Sequence, residues 1–97
     1  MAAGIHGDRC KTTVSTADAT LKANDGHIHW ITVSNTHATD ETFVELQDDS
    51  TDVWGVSVEA IDHTQPFHAV FDPPIYCATS IKIDITGGTV KATVGWT

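Results

Sequence analysis

Short runs of alternating apolar and polar residues recur along the chain and predict β-strands throughout. They are rich in Val, Ile and Thr and are separated by turn residues, which is typical of an all-β protein. The runs occupy residues 9–15, 20–23, 27–34, 42–47, 53–59, 67–71, 79–86 and 89–96. One buried face per strand predicts two packed antiparallel sheets. We therefore expect a small β-sandwich of about eight strands, jelly-roll-like or immunoglobulin-like, with no significant helix.

The last two runs flank Gly87-Gly88 and predict a β-hairpin. A two-residue glycine loop suits a type I′ or II′ turn, because glycine adopts positive φ without steric cost. The register that such a turn implies brings apolar side chains together in three pairs: Ile85 with Val90, Ile83 with Ala92 and Ile81 with Val94. On the other face it places Asp84 opposite Lys91, an opposite-charge cross-strand pair.

Polar, glycine and proline segments between the runs predict the connections. They lie at residues 24–26, 35–41, 48–52 and 72–74. The Asp72-Pro73-Pro74 segment predicts an extended corner that ends a strand, because the residue before proline avoids the helical region. The 97 residues predict a single domain, with residues 1–15 as a segment that contacts a neighbour.

The formal charge of the chain is −8, from 13 acidic and 5 basic residues. This charge argues against a nucleic acid or an anionic membrane as the partner, because both require cationic side chains. The start MAAGIHGDRC lacks the apolar core of a secretory signal, and no apolar run has transmembrane length. We therefore expect synthesis in the cytoplasm. The plainest interpretation of the acidic residues is a soluble surface.

The cysteines and histidines are the residues most often used for redox or metal chemistry. Cys10 and Cys77 belong to no CxxC motif, and we expect reduced thiols, with a disulfide as the alternative. His27 and His29 lie two residues apart on a predicted strand and so share a face. With one further ligand they would suit zinc; the candidates for that ligand are His37, His63 and His68. Histidines at strand ends and in loops, without a metal, are the favoured interpretation, and no cofactor is expected.

Calcium binding and enzymatic catalysis have weaker support in the sequence. Asp48, Asp49 and Asp52 cluster as oxygen donors in one turn, but without EF-hand spacing, so a solvated turn is favoured over a calcium site. A Cys–His pair alone does not define a nucleophile, and the GxSxG, P-loop and GxGxxG motifs are absent from the sequence. Nothing pairs Glu45 with Glu59 as glycosidase carboxylates. We expect no catalytic residues and no enzymatic activity.

The aromatic residues divide between the core and the surface. Trp54, Phe67 and Phe71 share faces with apolar residues and are predicted to point inward. Trp30 and Phe43 fall on polar faces, and we predict either an exposed patch for a protein or sugar partner, or cover for a sheet edge or a second small cluster.

Two segments resemble a known class of proteins. HIHWITVSNTHATDETFVELQDDS, at residues 27–50, joins a strand ending in ITVSNT to a strand ending in VELQDDS through a polar loop. FDPPIYCATSIKIDITGGTVKATVGWT, at residues 71–97, combines an F-x-x-P-I element with a glycine-linked pair of strands. This pattern resembles the small virion β-sandwich proteins of tailed bacteriophages, which include capsid decoration (cement) proteins and head-fibre or tail-associated modules.

The resemblance implies a non-enzymatic protein of the virion surface, bound to the major capsid protein of a phage head and often trimeric. The alternative that it leaves open is a head-fibre, tail-associated, receptor-binding or carbohydrate-binding module. The resemblance supplies no catalytic residues and does not assign the interface by position. The segment at residues 1–15 is the candidate contact with the capsid or with a neighbouring subunit. Ile5 in this segment and the aromatic side chains of Trp30 and Phe43 are the candidate contact residues.

Overall fold

A computed structural model of the chain describes residues 10–60 and 66–97 and is all-β in these ranges. It contains eight strands: β1 Lys11–Ser15, β2 Ala19–Lys22, β3 Gly26–Asn35, β4 Thr42–Asp48, β5 Thr51–Val58, β6 Phe67–Cys77, β7 Ile81–Thr86 and β8 Val90–Trp96. The strands form two four-stranded antiparallel sheets, so the predicted small β-sandwich without helix is confirmed for the described residues.

The order of the strands distinguishes between the two predicted sandwich types. Sheet one has the order β1-β8-β3-β6 and sheet two the order β2-β7-β4-β5. The strands form a long antiparallel ribbon of four successive pairs: β1–β8, β2–β7, β3–β6 and β4–β5. The ribbon folds over so that the first and third pairs lie in sheet one and the second and fourth pairs lie in sheet two. This is the arrangement of a jelly roll and differs from that of an immunoglobulin domain.

The core lies between the two sheets and is built from alternate residues of the central strands, with one irregularity in β3 between Ile28 and Trp30. Its fully buried side chains include Ile28, Ile31 and Val33 of β3, Val44 and Leu46 of β4, Ile81 and Ile83 of β7, and Ala92 and Val94 of β8. Full burial of one such large aliphatic side chain stabilises the fold by about 1.5–3 kcal/mol. The alternation in the sequence therefore reports correctly which residues face inward.

The predicted hairpin at Gly87-Gly88 is wrong. The two glycines connect β7 in sheet two to β8 in sheet one, so these strands face each other across the core. Asp84 consequently lies opposite Glu45 of β4, while Lys91 lies opposite Ser34 of β3. Both glycines do have the positive φ that the prediction required, 81° and 72°. Strands that are side by side and strands that are face to face show the same apolar alternation, which explains the error.

A buried asparagine holds this connection in place. Asn35 is 7% exposed, and its Oδ1 accepts hydrogen bonds from the backbone N–H groups of His37 and Thr89. Its Nδ2 donates to the carbonyl oxygens of Asp40, Val58 and Glu59. One side chain thus joins the end of β3, the loop after it, the end of β5 and the start of β8.

Strand β6 is longer than predicted. We expected it to end at Phe71 before a corner, but it continues to Cys77 through a cis peptide bond between Asp72 and Pro73. Its register against β3 shifts at this point, since Ile28 lies opposite Ile75 and Trp30 opposite Val70. Because β6 is an edge strand, residues that cannot donate a hydrogen bond are tolerated there.

Candidate functional site

The outer face of sheet one carries two rows of side chains that cross all four strands. The first row is Thr12, Gly95, Trp30 and Val70, and the second is Val14, Thr93, Thr32 and His68. Lys91 and Ser34 lie opposite each other in the next position along β8 and β3. None of these ten residues is acidic, and we call this set of ten residues the carboxylate-free face; the exposed Asp72 follows two residues after Val70 on β6, at its margin.

Trp30 lies at the centre of the carboxylate-free face and is half-buried. Its indole ring covers Gly95 so closely that a Cβ on Gly95 would overlap the ring. The imidazole of His68 lies beside it, with ring centroids 6.2 Å apart, and hydrogen-bonds to Thr32 Oγ1 at 2.7 Å. On either side, Val14 and Val70 are 57% and 67% exposed. The centre of the face is therefore a fixed aromatic surface with exposed valines on both edge strands.

The outer face of sheet two is acidic. Its carboxylates, on the sheet and at its margin, are Asp18, Glu41, Glu45, Asp49, Asp52 and Asp84, and we call this surface the acidic face. Glu45 and Asp84 lie directly opposite each other on β4 and β7. Lys82 forms an ion pair with Asp49 at 3.4 Å. The carboxylates are too numerous for this cation to neutralise, so the face has a net negative charge.

The pKa values of two of these carboxyl groups are raised because other carboxyl groups lie close to them. A hydrogen bond to Asp52 and repulsion by its charge raise the pKa of Glu45 above its ordinary value. A hydrogen bond to Asp18, together with desolvation, raises the pKa of Asp84 in the same direction. Both shifts indicate that the folded protein binds protons at this face more tightly than the unfolded chain does.

We expect the acidic face to make the protein more stable as the pH falls from neutrality. A carboxyl group whose pKa is raised on folding stabilises the folded state below its unfolded pKa, and this contribution disappears as the pH rises through the folded pKa. The double variant Glu45→Gln/Asp84→Asn should therefore melt at a higher temperature than the wild type at pH about 7.5, and this advantage should shrink at pH about 4.5. Thermal unfolding followed by circular dichroism measures the difference.

A matched control for this experiment is Asp25→Asn, which removes one charge from an exposed turn outside the acidic face. An advantage of the double variant that stays the same at both pH values would contradict the expectation. So would an equal pH-dependent gain in the control, since the effect would then come from net charge alone.

The aromatic residues occupy three separate places. Trp54 is partly buried and packs with Phe67 and Phe71, at centroid distances of 5.8 and 5.5 Å, as predicted. The predicted patch containing both Trp30 and Phe43 is wrong, because Trp30 belongs to sheet one and Phe43 to the outer face of sheet two, where it is 51% exposed. Ile5, the third predicted contact, lies outside the described residues.

The structure separates the histidines considered as metal ligands. The rings of His27 and His29 are 6.5 Å apart, and His29 Nε2 hydrogen-bonds to Thr97 Oγ1. His37 Nδ1 accepts hydrogen bonds from two backbone N–H groups, and His68 is the partner of Thr32. His63 lies outside the described residues. In residues 10–60 and 66–97 no group of three or more His, Cys, Asp or Glu is placed to hold a metal ion.

The three aspartates considered for calcium have different partners. Asp48 accepts hydrogen bonds from the backbone N–H groups of residues 78, 79 and 80, and these bonds, that of Thr79 foremost, lower the pKa of its carboxyl group. Asp49 pairs with Lys82, and Asp52 accepts a hydrogen bond from Gln47. Asp48 thus fastens the β6–β7 connection to the β4–β5 turn, and its role is structural.

The cysteines do not form a disulfide bond. Cys77 is fully buried, and burial raises the pKa of its thiol, so it is a poor nucleophile. The described part of the chain contains no helix that is long and apolar enough to cross a membrane.

No protein-family model, curated protein or solved structure matches the chain. The two outer faces and the resemblance noted in the sequence are therefore the features that bear on function.

The carboxylate-free face is the feature that sequence reasoning missed. Its signal was present, because the polar positions of β1, β3 and β8 are threonine, serine, histidine and lysine, whereas those of β4 and β7 include Glu45 and Asp84. Only the order of the strands shows that the first group lies together on one sheet.

Proposed function

We propose that this protein is a structural accessory protein of a phage virion, namely a capsid decoration (cement) protein that binds the major capsid protein and stabilises the head shell. The observation that carries the proposal is the unequal distribution of carboxylates between the two outer faces. A protein that attaches to a large assembly needs one face that loses its water at little cost in free energy and another that remains hydrated. The resemblance of residues 27–50 and 71–97 to virion proteins supports the same conclusion.

The form of the site favours binding over catalysis. The surface depressions beside Asp18 are open to solvent, and an enzyme pocket normally encloses most of its ligand. Fold alone does not decide the function, because jelly rolls occur in capsid proteins, lectins and cupins alike. The exposed, open sheet faces are better suited to another protein surface than to a small molecule.

A decoration protein would act on the virion surface by adding buried interface between neighbouring capsid subunits. We further propose that it is a homo-oligomer, with a trimer favoured. The sandwich leaves the edge strands β1, β6, β2 and β5 at its margins, and exposed edges invite open-ended pairing unless something covers them. Closed association of a few copies on a shell would cover such edges.

The test is to mix the purified protein with undecorated heads of the phage that encodes it. We expect saturable binding with a stoichiometry that follows the symmetry of the shell, and heads that resist heat or loss of salt better after binding. Sedimentation of heads with bound protein measures the stoichiometry. Absence of saturable binding, or a copy number of only a handful in the native particle, would contradict a role as a decoration protein.

The central tryptophan favours one alternative, a receptor-binding or carbohydrate-binding module of a head fibre or tail. The indole ring of Trp30 covers Gly95, and an exposed aromatic ring is a surface on which a sugar ring can stack. A glycan array distinguishes the two candidates. Binding of a glycan that is lost in Trp30→Ala, together with no binding to heads, would favour this alternative.

A further inference from the structure

We infer that the free edge of strand β5 is an interface between two copies of this chain, which pair there antiparallel about a two-fold axis and so extend sheet two across both molecules. The inference goes beyond the proposed function and requires no phage component. The trimer proposed above would use a different contact, because a two-fold contact joins the same patch on both copies and is complete with two chains.

The four edge strands differ in how well they are protected against pairing with another chain. Strands β1 and β2 have only five and four residues, and each contains a lysine. Strand β6 contains Pro73 and Pro74, and its register against β3 is irregular. Strand β5 has eight residues without proline or lysine. Shortness, lysine, proline and irregular register are devices that keep edges from pairing, so β5 is the edge with the least protection.

The second half of β5 is regular and uncharged. Its pairing with β4 runs without interruption from Trp54 to Val58, and the one irregularity in this pairing lies before Trp54. The charged residue of β5 is Asp52, which also precedes this segment. We call residues 54–58 the open edge. Among the described strands β4 alone pairs with it, so the ladder can be continued by another chain on the side away from β4.

The open edge is complementary to a second copy of itself. A two-fold axis at the central Val56 places Trp54 opposite Val58 of the other copy on the inner face, and aromatic side chains pair well with β-branched ones. On the outer face the same axis places Gly55 opposite Ser57, and both are small. The two Asp52 carboxylates would lie about 26 Å apart along the strands, where salt screens their repulsion. A second copy therefore fits this edge in side-chain size and in charge.

Apolar side chains at this margin of the sandwich are incompletely covered. Trp54 and Val56 of β5, with Phe67 and Phe71 of β6, pack against the core but remain partly exposed. At the opposite margin the large inward side chain is Leu21 of β2, which is only 9% exposed. Pairing through β5 brings two copies of the aromatic margin together, and the burial of this apolar surface favours the pair.

The size and charge of the contact predict a weak pair. The open edge spans about 17 Å and the sheets lie about 10 Å apart, so the contact is smaller than the roughly 800 Å² per partner of a standard interface. Each copy also carries a formal charge of −8, so the copies repel each other. We expect a dissociation constant of about 10–100 μM at about 0.15 M salt. Pairing should be at least about threefold tighter at about 0.5 M salt, because salt screens the repulsion.

The experiment adds one carboxylate to each of the two edges of sheet two in turn. Gly55→Glu places it on the open edge, where a Cβ makes an ordinary contact of 3.5 Å with Glu45 Cγ. Thr20→Glu places the same charge at an exposed position of β2, the opposite edge, and is the matched control. Sedimentation equilibrium of the full chain over about 5–500 μM measures the mass.

We expect the wild type and Thr20→Glu to change from one chain to two as the concentration rises, with dissociation constants within about threefold of each other. Gly55→Glu should weaken pairing by about tenfold or more, because the two new carboxylates would be diagonal neighbours about 7–8 Å apart. Circular dichroism and thermal unfolding confirm that each variant is folded. If Gly55→Glu does not fold, Val56→Lys, an inward charge on the same edge, takes its place.

The outcomes separate this inference from the proposed function. A wild type that stays a single chain at about 500 μM overturns the inference, and so does a pair that Gly55→Glu leaves intact. A mass of three chains that neither substitution changes overturns it too, but leaves the proposed trimer standing. A wild type that forms the expected pair and does not bind undecorated heads defeats the proposed function alone. If the wild type stays a single chain and Gly55→Glu loses binding to heads, the open edge accepts the shell and not a second copy.

Discussion

Replacement of Asn35 by alanine is expected to lower the free energy of unfolding by about 3 kcal/mol, because five backbone groups at buried or partly buried positions would lose their hydrogen bonds to its side chain. The side chain accepts hydrogen bonds at 3.1 and 3.2 Å and donates at 2.9, 3.2 and 3.3 Å. These bonds converge on one site from four segments of the chain. Urea unfolding measures the change, since a stability difference shifts the midpoint without altering the slope.

The control for Asn35→Ala is Asn24→Ala, which truncates the same side chain in an exposed turn. This control should change the free energy of unfolding by less than about 0.5 kcal/mol. A loss of less than about 1 kcal/mol in Asn35→Ala would show that water replaces the side chain, and that the connection between the sheets does not depend on it.

Replacement of Gly87 by alanine is expected to lower the free energy of unfolding by about 2–4 kcal/mol. Gly87 has φ of 81°, which alanine adopts only with strain. A Cβ at this position would also lie 2.8 Å from the carbonyl oxygen of Glu41, a backbone atom that cannot rotate away. Relief of this contact would require β7 and β8 to move relative to the β3–β4 connection.

Gly55→Ala is the matched control for Gly87→Ala. Its Cβ would meet Glu45 Cγ at 3.5 Å, an ordinary contact, and a glycine in a strand weakens that strand. We expect Gly55→Ala to be neutral or to stabilise the protein by up to about 1 kcal/mol. Equal melting temperatures for the two alanine variants, measured by differential scanning calorimetry, would refute the argument about backbone conformation.

The alternation of residue types was sufficient to locate the strands and their inward faces, but not to pair them. Ile83 and Ala92 are both buried, which is all that alternation reports. In the structure Ile83 lies beside Leu46 and Ala92 beside Val33, in different sheets. Pairing depends on contacts that are distant in sequence, so a convincing local turn such as Gly87-Gly88 can suggest the wrong neighbour.

The end of β6 was predicted wrongly for a related reason, and its two prolines were the cause. Pro73 and Pro74 are poor residues for a central strand, and the prediction ended the strand before them. Whether a strand lies at an edge follows from the whole topology and cannot be read from the strand itself. β6 proves to be the margin of sheet one, where the ladder continues to Cys77 after an irregularity.

The candidate site could not be predicted from local sequence patterns, for the same reason. The sequence shows that Trp30 and Phe43 are on polar sides of their strands, and both predictions of side are correct. It does not show that the two strands belong to different sheets. A surface defined by its lack of carboxylates becomes visible only after the strands have been placed next to one another.

The position of β8 has a consequence for how the chain acquires its structure. This strand lies between β1 and β3 in the interior of sheet one, yet it is the last of the described strands to leave the ribosome. Until it arrives, β1 has no hydrogen-bonded neighbour among the described strands, and sheet one of the nascent chain is incomplete. Folding dominated by such distant partners is intrinsically slow, and the waiting strands are vulnerable to aggregation during synthesis.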